Sequence, residues 1–504
     1  MSGKRLLFIE FDGASWEVMR PLLHQGKLPN IQKLMVRGVS GTLLSDFPLI
    51  SPKLWVSIFT GKKPERHGVH FFGATSRTAQ CKRIWDIFNE KGLRVGVFGT
   101  LVTWPPSAVN GFIIPSIFAL GPDTHPEEYR PFQKFVLGER RGMKEGRRGE
   151  HLSDLVRLAF RLRSYGVRPR TFWCGLRDYL RARMKGHGYL DTYWRKATVH
   201  LKMSVDTFMH LYGVFKPHFS TFHIHLCDAL SHRYWAFFEP ERFPETDKRE
   251  VKKYREVIPA AYVEADRAIG RIVSLADERT TVVVASDHGS TALTQALHPY
   301  LLKVERLSQL LGIEGEVLPA RFGLDTFLYS QNRDRLETIA QIVGGTTLKE
   351  TGQKVFDIEC HPRYIILRIS KGLRRTEMDR NASVDLGRFG TVRFSELFSQ
   401  PEMKVSGIHH MEGVLIMAGP DIAKGARLMR PTIFDLTPTL LALMGCPPAK
   451  DMDGRVLTEA LKDEFLKESP VRYIETYETP GVKGPTQAID YPKVKERLKA
   501  LGYL

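Results

Sequence analysis

The sequence predicts an α/β fold in three layers, a mostly parallel central sheet between two layers of helix. Several short runs are apolar throughout, without the alternation of a half-buried strand, which is the composition of buried parallel strands. Segments with apolar residues at helical spacing separate them, and that alternation is the pattern of a sheet covered on both faces. A chain of 504 residues, 42% hydrophobic and 26% charged, suits one large domain of this kind with insertions.

Taken in order, the first strand is Leu6–Phe11 (LLFIEF), followed at once by Asp12 and Gly13. Glu10 and Asp12 break its apolar run, so it reads as a strand and not as a secretory signal. A helix over Ile31–Arg37 follows, with Asn30 as its expected N-cap. Ser51 opens the next helix-like stretch, with Pro52 at the favoured first position. Val95–Phe98 (VGVF) is a second buried strand. Thr221–Leu226 (TFHIHL) is a third, leading into Cys227 and Asp228 with His232 one helical turn beyond. A helix over Ala260–Leu275 precedes Thr281–Ala285 (TVVVA), which runs into Ser286-Asp287-His288-Gly289. Val414–Ala418 (VLIMA) is the last strand. Polar side chains thus sit just past the carboxyl ends of separate strands, the edge of an open α/β sheet where ligands bind.

The net charge of +18 is local. Arg130–Lys202 holds 19 Lys and Arg against 6 Asp and Glu, leaving +5 for the rest of the chain. Trp173, Trp194, Phe160, Phe172 and Tyr179 are interleaved there, and residues 151–163 and 172–184 have amphipathic helical patterns. The expected organisation is a catalytic core over residues 1–121, 219–311 and 398–460. A basic helical cap over 122–218, a smaller α+β insert over 312–397 and a tail over 461–504 with a terminal helix at 491–504 complete it. Charged faces are usually only solvated surface. The functional alternative is a cap that attracts anionic substrates or rests on an anionic membrane surface. No nucleic-acid module accompanies the charge, so no specific nucleic acid is expected. The five cysteines (Cys81, Cys174, Cys227, Cys360, Cys446) form no CxxC pair, so neither a disulfide framework nor a thiolate zinc site is expected. No apolar stretch reaches the length of a membrane span. A cytoplasmic location, peripheral at a membrane surface if the cap docks there, is the expectation.

Asp12, Asp228, His232, Asp287, His288 and His409 are carboxylates and imidazoles of the kind that bind borderline divalent metals. Six ligands exceed one tetrahedral site and suit two neighbouring ions, which can clamp both oxygens of an in-line displacement on phosphorus. Ser51 is the candidate nucleophile, beside the unpaired N–H groups and positive dipole end of its helix. Singly, several of these residues have ordinary readings. Asp12 alone is a turn residue. His232 alone is a surface histidine, although its i+4 spacing places it on one face with Asp228. His67 reads as structural. His223 and His225 alternate on a strand and could face either side, and Glu10 is a buried acid without an assigned role.

The ordered motifs resemble the alkaline phosphatase superfamily, and most closely its type I phosphodiesterase/nucleotide pyrophosphatase branch. They are F-x-E-F-D12-G, then S51-P-x-x-W-x-S-x-x-T60-G61-x-x-P64-x-x-H67-G68, then D228-x-x-x-H232-R-Y-W. S286-D287-H288-G289, G407-I-H409-x-M-E-G413 and D451-M-D-G454 follow in the family's order. The resemblance implies an alkaline phosphatase-like sandwich. Asp228, His232 and His409 would hold one metal and Asp12, Asp287 and His288 the other, with Ser51 adjoining both. Zinc is the implied metal, with manganese as the alternative. The implied activity is phosphoester hydrolysis through a covalent seryl intermediate, on a small-molecule or lipid-linked phosphodiester, with a monoester as the alternative. Nucleotide pyrophosphatases typically have Thr as nucleophile and Asn three residues later, where this chain has Ser51 and Leu54. These departures put the nucleotide diester in question as the substrate and leave the phosphoryl chemistry untouched. A phosphotransferase or mutase on the same scaffold, or a non-catalytic membrane- or polyanion-binding relative, are the other readings. P-loop, HExxH and GxSxG patterns are missing from the sequence.

Overall fold

Seven strands form the central sheet of the computed structural model: β1 (Arg5–Phe11), β2 (Val39–Leu44), β3 (Val95–Phe98), β4 (Gly111–Ile114), β5 (Phe219–Ile224), β6 (Thr280–Ala285) and β7 (Glu412–Ala418). Their spatial order is β2-β7-β6-β1-β5-β3-β4. Neighbours from β6 through β4 pair in parallel, whereas β7 is antiparallel to both β6 and β2. The mostly parallel sheet expected from the apolar runs is therefore present. The structure describes residues 3–138, 160–184, 188–293, 300–314, 316–322, 325–330, 332–374, 376–399, 405–479, 493–494 and 496–497.

Side-chain alternation sends successive residues of each strand to opposite faces. On one face, Phe8 meets Phe59 of the helix Ser51–Thr60, and Phe219 meets Phe88 of the helix Ile84–Glu90. On the other, Phe222 meets Phe208 of the helix Tyr189–Phe215, and Phe11 meets Tyr262 of the helix Val257–Val273. Both faces are thus covered, which is why β5 and β6 are buried along their whole length. Apolar burial at about 25 cal/mol per Å² makes these layers the main source of stability.

Local boundaries differ from the sequence expectations for definable reasons. The third predicted strand begins and ends two residues earlier, at Phe219 and Ile224, because Phe219 pairs with Leu6 and Val95. The helix Leu226–Phe238 then starts at once, and Asp228 falls in its first turn. Asn30 is not an N-cap: the helix runs Pro29–Arg37, with proline in its first turn. The carboxylate of Asp266 on the facing helix accepts from the Asn30 and Ile31 amides and does the capping instead. The helix expected over 172–184 is found as Pro169–Met184. Most of the helices expected over 151–163 and 491–504 lies outside the described residues.

The chain divides into two compact units. The sheet belongs to the first, which comprises Met1–Tyr234, Arg249–Thr291 and His409–Leu504. The second comprises Trp235–Lys248 and Ala292–Ile408. It is built on an antiparallel sheet in the order Phe356–Cys360, Tyr364–Ile369, Asp325–Tyr329, Leu318–Phe322. Leu307, Leu328, Leu336, Ile339, Ile365 and Leu367 are among the apolar residues of its own core. Among the described residues, no helix is long and apolar enough to cross a membrane.

Candidate active site

Three adjacent strands, β6, β1 and β5, run parallel and end at one edge of the sheet. Asp12 follows β1 directly, Asp287 and His288 follow β6, and Asp228 stands four residues after β5. The antiparallel β7 enters at the same edge, with Glu412 opposite Leu44 at the exit of β2. His409 just before β7 and Ser51 beyond β2 are brought to that edge too. All seven predicted residues therefore converge, although the sequence separates them by nearly 400 positions.

The Ser51 Oγ lies 3.2 Å from His288 Nε2. That nitrogen is 3.6 Å from Asp12 Oδ1 and 3.5 Å from Asp287 Oδ2. On the other side, Asp228 Oδ1 is 3.1 Å from His409 Nε2 and 3.3 Å from His232 Nε2, and the two imidazole nitrogens are 2.9 Å apart. The groups Asp12–Asp287–His288 and Asp228–His288–His409 each bring ligand atoms within 4.8 Å of one another. Backbone carbonyls fix the tautomers. His288 Nδ1 donates to Gly289 O at 2.9 Å, and His409 Nδ1 donates to Leu49 O at 2.8 Å. Both Nε2 lone pairs are thereby left for the site, the arrangement usual for metal-ligating histidines.

Gly13 makes this packing possible. It has φ +65, and a Cβ there would lie 2.9 Å from the Asp228 Cβ. Only glycine combines that backbone with so close an approach.

Burial without hydrogen bonds is the main electrostatic feature. Asp12 Oδ1 and both oxygens of Asp287 are buried and accept no hydrogen bond of normal geometry. Such groups are costly unless a cation meets them. Burial, then the neighbouring Asp12 and Asp228 carboxylates, push the Asp287 carboxyl well above the usual carboxylate range. Burial and Asp228 push Asp12 the same way, but hydrogen bonds from His223 and His225 outweigh them and leave it lowered. Burial, reinforced by His409, brings His288 down to about 3 and so keeps its ring neutral. A cluster of acids with neutral imidazole lone pairs turned toward them is chemically suited to divalent cations.

Three residues left unassigned by the sequence belong to this cluster. His223 and His225 both point to the face of Glu10 and Asp12. His223 Nδ1 is 2.9 Å from Glu10 Oε2, and His225 Nδ1 is 2.9 Å from Asp12 Oδ2. Against the cost of burial, the Asp12 and Glu10 hydrogen bonds raise His223 to about 9. Their signal in the sequence was the alternation His-x-His opposite Glu-x-Asp, legible only once β1 and β5 are known to be paired. Lys53 is engaged elsewhere, its ammonium 2.6 Å from Asp46 Oδ2 and bonded to the Asp46 carbonyl. His67 is structural: its Nδ1 accepts from the Val69 amide and its Nε2 meets Ser57 Oγ at 3.0 Å.

Residues 6–359 match the model of the type I phosphodiesterase/nucleotide pyrophosphatase family. The chain belongs to that family. Membership in the type I phosphodiesterase/nucleotide pyrophosphatase family places it in the alkaline phosphatase superfamily and its chemistry in phosphoester hydrolysis. Two solved structures of phosphonoacetate hydrolase from Sinorhizobium meliloti 1021, one with phosphonoacetate and one with phosphonoformate, also align with it. They cover 86% of this chain and 94% of their own, at 14% and 13% identity and a TM-score of 0.43. No curated protein matches the chain.

Proposed function

We propose that the protein is a hydrolase of phosphodiesters that uses Ser51 as nucleophile at a centre for two divalent cations. The observation that carries this reading is the buried group of Asp12, Asp287 and His288 around the Ser51 hydroxyl, beside Asp228, His232 and His409. Asp12, Asp287 and His288 would hold one cation and Asp228, His232 and His409 the other, with zinc or manganese fitting the donor set. Bound there, the cations would supply Lewis acidity that favours the Ser51 alkoxide and neutralises phosphoryl oxygens.

The chain's own contribution is positioning. Ser51 begins a buried ten-residue helix, so a phosphoryl oxygen beside it meets the positive end of the helix dipole. The Ser51 Oγ–P bond forms as the P–O bond to the leaving alcohol breaks, and the alcohol departs with one proton equivalent. Water then cleaves the Ser51 Oγ–P bond and restores the hydroxyl, leaving a phosphomonoester. A recess lined by Pro52, Phe72, Leu101, Trp104 and Phe118 adjoins the helix start.

The experiment is turnover of an activated aryl phosphodiester by the zinc- or manganese-loaded protein. Ser51→Ala should lower kcat by about a thousand-fold or more while metal content stays unchanged. Turnover retained by that variant would remove Ser51 from the role.

A second reading concerns where the substrate resides. On the helix Pro169–Met184, Arg170, Trp173, Arg177 and Leu180 lie at helical spacing and are exposed, Trp173 to 63%. A basic stripe that also carries exposed apolar residues suits an anionic lipid surface. A lipid-linked diester is the corresponding substrate class.

A further inference from the structure

Beside the proposed two-cation centre, β1 and β5 hold a further cluster of which that centre uses only Asp12. Glu10 is in register with His223, and the alternation of the paired strands puts Glu10, Asp12, His223 and His225 on one face. His225 Nδ1 lies 2.9 Å and His223 Nε2 3.3 Å from the same atom, Asp12 Oδ2. We infer that His223, His225 and Asp12 form a third cation site, for a first-row divalent ion such as zinc or manganese. The inference rests on the two-cation reading only in that Asp12 is shared.

Three observations carry it. The spacing is that of ligands, because two atoms each about 2.1 Å from one ion at the tetrahedral angle lie about 3.4 Å apart. Asp12 also divides its oxygens: Oδ2 faces His223 and His225, whereas Oδ1 lies 3.6 Å from His288 Nε2 on the other side. One carboxylate thus presents an oxygen to each of two clusters.

The third observation is the support behind His223. Its Nδ1 is 2.9 Å from Glu10 Oε2, while Glu10 Oε1 accepts from the Thr100 hydroxyl. Thr100 is in turn 2.8 Å from the Thr221 hydroxyl. Metal-bound imidazoles usually donate their second N–H to a carboxylate that is itself held in place. The opposite nitrogen, His223 Nε2, is buried and lies 3.3 Å from Asp12 Oδ2 without a hydrogen bond of normal geometry. The side chain is 4% exposed, so solvent does not satisfy that nitrogen. Two imidazoles and one carboxylate form the N/O set of zinc and manganese sites.

The ordinary rival is that both histidines merely hold Asp12 by hydrogen bonds. Zinc-loaded full-length protein, dialysed against metal-free buffer, separates the two. Anomalous diffraction at the zinc edge and metal per chain by mass spectrometry are the readouts. The expectation is three zinc ions per chain, with one anomalous peak between His223 Nε2, His225 Nδ1 and Asp12. His225→Ala should reduce the count to two. Glu10→Gln should weaken one of the three ions by about 10–100-fold and leave the other two. Two ions in the unaltered protein with no peak at His223, or three ions retained by His225→Ala, overturn the third site. Failure of the two-cation reading looks different, as absent peaks beside Asp228 and Asp287. The map of the unaltered protein decides the question even if a variant does not fold.

Discussion

Gly13 and Asp228 illustrate how single residues set the site. A Cβ at residue 13 would press on Asp228 and would also have to adopt a left-handed backbone at φ +65. Gly13→Ala should therefore cost about 1–3 kcal/mol of stability and weaken the ion beside Asp228, read by thermal melting and metal titration. An unchanged metal affinity would mean that Asp228 is not positioned through Gly13. His67 makes the contrasting case, since it touches Ser57 and the Val69 amide and none of the proposed ligands. Removing it strands a fully buried hydroxyl. His67→Ala should destabilise the protein by about 1–3 kcal/mol while the metal count stays the same. Loss of metal without loss of stability would assign His67 to the site instead.

Elements explain what the sequence could and could not disclose. β1 and β6 were legible because each is a mainly apolar run, interrupted in β1 by Glu10, and they lead into Asp12-Gly13 and Ser286-Asp287-His288. The edge strand β2 was not, since Val39–Leu44 (VSGTLL) is half-buried and contains glycine and polar residues. The seven candidate residues that converge at the sheet edge were legible from motif order, but the contacts of Glu10, His223 and His225 required the β1–β5 register, which no local pattern encodes.

The helix Pro169–Met184 carries its own prediction at this scale. If the exposed Arg170–Trp173–Arg177–Leu180 stripe meets anionic lipid, binding to phosphatidylserine-containing vesicles should weaken as salt rises. Arg170→Glu with Arg177→Glu should lower that binding, each charge near the surface being worth about 1 kcal/mol. Equal binding to neutral and anionic vesicles would dispose of the stripe as a docking surface.

At the scale of the whole molecule, the site and the fold are energetically linked through the cations. Asp12, Asp228 and Asp287 are gathered from three adjacent strands into a buried space, so the metal-free chain carries like charges together. Cation binding to the folded state alone stabilises it by RT ln(1 + [L]/Kd), about 2.7 kcal/mol for each site at a hundred-fold excess over Kd. Chelation should lower Tm, and zinc or manganese should restore it in a concentration-dependent way. Asp287→Asn makes the sign of the effect specific, because it keeps the shape and removes one buried charge. Without metal, the variant should be no less stable than the original protein, since the repulsion with Asp12 is relieved. With metal, it should be the less stable of the two, having lost a ligand. The two melting curves should therefore change order on addition of metal. A variant that melts lower by the same amount in chelator and in zinc would mean that Asp287 serves packing alone and that no cation balances its charge.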